Sequence, residues 1–271
     1  MNIVKFPGLG MTFEFSKVAF NIFGIEVYKY AVCIVLGIVV ALILAKLSKE
    51  KFDTDYSFVL ESSIIAVIVG TIGARLYYVL FNLDYYSKNA KEIFNLRNGG
   101  LAIYGGLILG GIAVWIYSKI RKKDALNLLD YIVPFVALAQ FFGRFGNFFN
   151  LESYGYPTKS FLRMGLGSGT GYIEVHPMFL YEALVNLAIY IFLRIMQKKR
   201  KFKGEILLLY CICYSGFRAI LEGFRSDSLM LFSLRISQVV SVIIFIVAII
   251  LFVKNYKKVN NTEEKVEENN N

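Results

Sequence analysis

Seven apolar runs, separated mostly by short loops, leave this chain few ways to fold. A helix needs roughly 20 apolar residues to cross the hydrocarbon core of a bilayer. In lipid, every backbone polar group must find its partner within the protein, which selects helices or closed barrels. The runs lie at about 28–47, 58–83, 99–119, 131–149, 177–194, 204–224 and 236–253. With 271 residues, 56% of them hydrophobic, and no long polar block, the sequence predicts one all-α integral membrane domain over residues 1–258. Gly106 and Gly110 have the spacing that lets two helices approach closely.

The formal charge of +10 sits where it orients such a bundle. The first run ends in Lys46, Lys49 and Lys51, and the third in Lys119, Arg121, Lys122 and Lys123. The run Lys198-Lys199-Arg200-Lys201 follows the fifth, and Lys254, Lys257 and Lys258 the seventh. Basic loops stay in the cytoplasm, so the reading is seven transmembrane helices, N-terminus outside and C-terminus cytoplasmic. No basic fold unit with aromatic platforms is visible, which argues against nucleic acid. Cys33, Cys211 and Cys213 fall inside apolar runs and form neither a disulfide framework nor a metal site. The first twenty residues contain Pro7, Gly8, Gly10 and Glu14 and do not read as a signal peptide; Phe13, Phe15, Phe20 and Phe23 suit the membrane interface. Residues 151–175 are glycine-rich with Pro157, an irregular outward-facing excursion. The charged tail over 259–271 has nothing to bury and is expected to be a disordered cytoplasmic segment.

Polar residues break the apolar pattern on one side only. Arg144, Asn147, Asn150 and Glu152 lie at the outer end of the fourth span. Arg75 and Tyr104 stand near the outer ends of the second and third, and His176, Tyr181 and Glu182 open the fifth. Tyr214, Arg218, Glu222 and Arg225, spaced 0, 4, 8 and 11, form one stripe on the sixth. Arg218 would lie on the order of 10 Å below the helix end at 1.5 Å per residue. Charges inside a membrane mark function by default. Four arginines against about three carboxylates make the region positive, a place for phosphate, which arginine grips bidentately. The residues alone therefore point to an anionic lipid or an anion entering from outside. Blander roles compete: an internal Arg218–Glu222 pair, Arg75 snorkelling to the interface, His176 and Asp130 as helix caps, Glu182 as an arginine's partner. Tyr28, Tyr30, Tyr77 and Tyr78 fit an aromatic belt.

The stretch Gly143-Arg144-Phe145-Gly146-Asn147-Phe148-Phe149-Asn150-Leu151-Glu152, with Gly155 following, closely resembles the signature of prolipoprotein diacylglyceryl transferases. Further blocks resemble the family in order: 73–79, 99–107, 176–182, 218–225 and 234–238, covering nearly the whole chain except the tail. The resemblance implies a multi-pass protein of the bacterial plasma membrane with its site toward the outer leaflet. Its partners would be phosphatidylglycerol, other membrane lipid and a lipobox-containing prolipoprotein signal peptide, without metal or organic cofactor. The diacylglyceryl group would pass to the lipobox cysteine thiol and glycerol phosphate would leave, the first step of lipoprotein maturation. The resemblance assigns the phosphate to Arg144 and Arg218, its orientation to Asn147, and support to Glu152, Glu222 and Arg225; Tyr30 and Tyr214 match positions near the site. Many members carry histidine where this chain has Tyr104, and a tyrosine with a reference pKa near 10 is a poor base. His176 and Glu152 stay open as proton acceptors. A non-enzymatic transporter of anionic lipid or anions through the same arginine-lined cavity is the alternative, although no internal repeat is visible.

Overall fold

The computed structural model describes residues 1–50, 52–96, 99–167, 171–226, 230–231 and 234–269, with side chains through residue 262. Four strands precede the first helix: β1 (Asn2–Phe6), β2 (Met11–Phe15), β3 (Val18–Ile22) and β4 (Ile25–Tyr28). Then come α1 (Lys29–Leu47), α2 (Tyr56–Leu80), the short α3 (Leu83–Tyr86), α4 (Ile103–Ile120) and α5 (Ala125–Asn150). Strands β5 (Met164–Leu166) and β6 (Ile173–Val175) lead into α6 (Met178–Gln197) and α7 (Glu205–Leu221). The pair β7 (Met230–Leu231) and β8 (Leu234–Arg235) precedes α8 (Ile236–Asn269). Seven helices among the described residues are long and apolar enough to cross a membrane, and the chain is a multi-pass, mostly helical membrane protein. Their outer faces are apolar, as on α2, where Ile64, Val67, Ile68 and Ile72 are exposed. Such faces would aggregate in water and are at home in lipid.

The chain divides into two compact units, residues 51–129 and the rest. In the smaller, α2 and α4 pack glycine to glycine. A β-carbon built on Gly105 would fall 2.4 Å from Gly73 O, and one on Gly106 would fall 3.1 Å from Gly70 O. Any larger residue at 105 would force the helices apart. Asp55 caps α2, accepting hydrogen bonds from the Ser57 hydroxyl (2.7 Å) and Phe58 N–H (2.8 Å), with Lys123 at 3.0 Å. The Ser57 hydroxyl, the Phe58 N–H and Lys123 hold its carboxyl well below the usual carboxylate range.

In the larger unit Asp130 is fully buried and serves another helix's end. Its carboxylate accepts from Gly204 N–H (2.7 Å) and Leu207 N–H (2.9 Å) and pairs with Arg200 (2.6 Å). The capping role expected of Asp130 therefore falls on α7, not on the helix that carries it. Pro134, inside α5, lacks the N–H that would bond Asp130 O. Gln197 Nε2 takes that place at 2.8 Å.

A sheet that the hydropathy pattern does not predict lies in the same unit. Strands β2-β1-β5-β6 form one antiparallel sheet, with Asn2 opposite Phe15, Val4 opposite Leu166, and Met164 opposite Val175. The first residues thus pair with the excursion over 151–175. Val4, Phe6, Phe15, Met164, Leu166, Val175 and Phe179 are buried together, and Phe145, Phe148 and Phe149 of α5 pack against them. Each buried aromatic contributes about 1.5–3 kcal/mol. This aromatic face fixes how α5 is rotated at its end. Helix α8 runs through Asn269, past the expected end of the span near Val253. A helix already nucleated in the membrane extends at little cost through Glu and Lys, both good helix formers.

Candidate functional site

Because Phe145, Phe148 and Phe149 face the sheet, Arg144 and Asn147 turn toward α6 and α7. Arg144 Nε lies 2.7 Å from Glu182 Oε2 of α6, and its Nη1 donates to Asn147 Oδ1 at 3.3 Å. Arg218 of α7 donates from Nη1 to Glu182 Oε1 at 2.9 Å, and its Nη2 lies 2.5 Å from Glu222 Oε2. Arg225 Nη1 approaches Glu182 Oε1 at 3.6 Å, and its Nη2 donates to Ser153 Oγ at 3.0 Å. One carboxylate, 4% exposed, therefore gathers three guanidinium groups from separate segments. The pairing role expected of Glu182 understates this: it is the hub of the cluster, and nothing local in the sequence marks it as such.

The end of α5 folds back on this cluster through a Schellman turn. Leu151 N–H donates to Phe148 O (3.1 Å) and Glu152 N–H to Asn147 O (3.1 Å), with Leu151 at φ 56°. The left-handed conformation is unfavourable for leucine, and burial of its side chain in the sheet cluster offsets the cost. The turn places Glu152 Oε1 where Asn147 Nδ2 (2.8 Å) and Asn150 Nδ2 (3.4 Å) donate to it. Tyr30 of α1 packs its ring against Gly146, beside Asn147.

The next residues lace the helix ends together. Gly155 N–H donates to His176 O (2.9 Å), Tyr156 N–H to Phe224 O (3.1 Å), and His176 N–H to Tyr156 O (3.1 Å). A β-carbon on Gly155 would meet His176 Cβ at 2.8 Å and Phe224 O at 2.9 Å, so only glycine fits. His176 does not cap α6, whose first flanking residue is Pro177 without a side-chain bond. Its Nδ1 stands 3.3 Å from Tyr181 OH.

A recess of about 230 Å³, counted out to its open mouth, lies among these groups. Arg144, Glu182, Asn186, Tyr214 and Arg218 line its polar side. Among the described residues Arg144 Nη2 and Arg218 Nε have no protein partner, so both arginines keep donors for a ligand. Tyr214 stacks on Tyr210 with 5.6 Å between ring centres, extending the polar stripe inward to Gln140, which accepts from Tyr210 OH at 3.1 Å. No cluster of metal-binding side chains occurs among the described residues.

Arg75 and Tyr104 belong to the smaller unit. All five N–H groups of Arg75 bond backbone carbonyls, those of Glu92, Ile93, Asn95, Gly99 and Gly100, at 2.5–3.1 Å. The guanidinium is the scaffold of that loop, and this arrangement leaves no donor for the substrate role expected of it. Tyr104 stands half-buried in the first turn of α4. Without Arg75 the gathered charges are three arginines against Glu182, Glu222 and Glu152, more balanced than the composition of the region suggests.

A model of the prolipoprotein diacylglyceryl transferase family matches residues 17–254. The chain is 40% identical over 252 residues to the phosphatidylglycerol–prolipoprotein diacylglyceryl transferase of Finegoldia magna, covering 92% of this chain and all of that one. Proteins of the same name from Clostridioides difficile and Clostridium novyi are 40% and 41% identical, each aligned over 91% of this chain and 98% of its own length.

Proposed function

We propose the chemistry of this site from one premise: the chain belongs to the prolipoprotein diacylglyceryl transferase family. It is a transferase whose substrates are phosphatidylglycerol and a prolipoprotein. The acceptor is the lipobox cysteine of an exported signal peptide. Its sulfur attacks the glycerol carbon next to the phosphate, a C–S bond forms, and the C–O bond to phosphate breaks. The bonding electrons leave with glycerol phosphate. Charge grows on that leaving group, and fixed donors in a dry site stabilise it.

The observation that carries this reading is the shared carboxylate. Glu182 holds Arg144 and Arg218 from two different helices at 2.7 and 2.9 Å while leaving Arg144 Nη2 and Arg218 Nε unpaired beside the recess. Those donors receive the phosphate, Asn147 orients Arg144, and Glu222, Arg225 and Glu152 hold the frame. Tyr30, Asn150 and Tyr214 complete the lipid's surroundings. His176 and Glu152 already serve other hydrogen bonds. We assign the proton of the thiol to the departing phosphate, whose second ionisation lies near pH 6. The basic loops at the opposite helix ends support a site facing the outer leaflet of the bacterial plasma membrane.

Purified protein incubated with phosphatidylglycerol and a lipobox peptide should add a diacylglyceryl mass to the peptide cysteine. A folded protein that leaves the peptide mass unchanged ends the transferase reading. The family resemblance gives Tyr104, at the position where many members carry histidine, the role of a hydrogen-bond donor in the reaction, not of a base. Tyr104→Phe should then lower kcat by about ten- to a hundredfold, the worth of one charge-assisted hydrogen bond, with the pH profile unshifted. Full activity in that variant removes the hydroxyl from the reaction.

A further inference from the structure

Asn186, one of the residues that line the recess, holds a buried acceptor without a partner among the described residues. Asn186 lies one turn beyond Glu182 on α6, about 6 Å along the axis at 1.5 Å per residue. It is 2% exposed, and its Nδ2 donates to Glu182 O at 2.8 Å. That bond fixes the amide: rotating it would set Oδ1 against a carbonyl oxygen. Oδ1 is buried without any hydrogen-bond partner among the described residues, although Asn186 lines the recess with Arg144, Tyr214 and Arg218. A buried acceptor left unpaired costs about as much as a lost hydrogen bond, and a leucine would pack there without that cost. Nor does the Tyr214 hydroxyl bond any described residue.

The complement of this acceptor is a hydroxyl donor. In an anionic phospholipid the ionised phosphodiester and the acyl esters offer only acceptors. Donors occur in the polar alcohol beyond the phosphate, and in phosphatidylglycerol that alcohol is glycerol. We propose that Asn186 Oδ1 accepts a hydrogen bond from a headgroup glycerol hydroxyl and so selects a polyol headgroup over one without hydroxyls. This rests on the transferase reading above and names the residue that sets its lipid preference. A site built to hydrogen-bond a substrate hydroxyl rejects the analogue lacking it, because its own polar group is then left unpaired.

The test compares phosphatidylglycerol with phosphatidylpropanol, which has the same phosphodiester charge and chains but no headgroup hydroxyl. Peptide lipidation is measured with unmodified protein and with Asn186→Leu. The unmodified protein should favour phosphatidylglycerol in kcat/KM by roughly tenfold or more. Asn186→Leu should lose about that factor on phosphatidylglycerol while its rate on phosphatidylpropanol stays within about twofold, so that the preference collapses. Equal losses on both lipids would show a packing role and overturn the proposal. So would unmodified protein that uses the two lipids alike, a comparison that needs no variant. Activity on neither lipid would instead defeat the transferase reading and take this proposal with it.

Discussion

Arg144→Ala should lower diacylglyceryl transfer at least about a thousandfold, to the floor of a peptide mass assay. Among the described residues Arg144 alone touches Glu182, Asn147 and the recess at once. Removing a single donor aimed at developing charge costs about 10²–10³ in rate, and removing an arginine that stabilises a phosphoryl group about 10³–10⁵. Alanine removes the entire fork and also leaves Asn147 without the group it orients. Arg144→Lys tests whether charge alone suffices. An ammonium is a point charge without a planar fork, so it can face Glu182 or the phosphate but not span both. Lysine should recover less than a tenth of the lost rate. The assay compares initial rates at saturating lipid and peptide, with thermal melting in detergent to verify the fold. Activity within tenfold of normal in folded Arg144→Ala would take Arg144 out of the phosphate site.

The membrane bundle was readable because the rules that govern it are local. Length and apolar content alone mark a span, and each of the seven expected spans falls on one of α1, α2, α4, α5, α6, α7 and α8, although α5 begins earlier and α8 ends later than expected. Likewise Arg144, Arg218 and Glu222 stood out because lipid penalises each of them individually. The sheet was not readable, for it pairs Val4 with Leu166 across most of the chain through strands of three to five residues. The alternation of Phe13 and Phe15 was a signal, but it fits an interfacial segment equally well. Arg75 shows a different failure. Its partners are five backbone carbonyls, and no side chain in the sequence announces them. Glu182 was visible as a charge in a span, yet its rank depends on three arginines meeting it in space. Spacing within one helix cannot reveal a hub shared by several segments.

That hub gives the second large effect. Glu182→Gln keeps the shape of the side chain and removes its charge, leaving three guanidinium groups within 2.7–3.6 Å of a neutral amide. Breaking a buried ion pair by neutralising one partner costs about 3–5 kcal/mol, so the melting temperature should fall on the order of 10 °C. Catalysis should fall by roughly a hundredfold in kcat, because Arg144 and Arg218 lose the group that aligns them from two helices and a misplacement of about 1 Å can cost that much. The lipid's apparent affinity should move the other way. Arginines released from Glu182 attract the phosphate more strongly, so KM for phosphatidylglycerol should drop while kcat collapses, and added lipid should raise the melting temperature more than in the unmodified protein. Glu222→Gln provides the contrast, since its carboxylate pairs with Arg218 alone among the three arginines at the hub, and its loss of rate should be several-fold smaller. An unchanged kcat in Glu182→Gln, or a KM that rises in step with the loss of rate, would mean that Glu182 merely fills space between α5, α6 and α7.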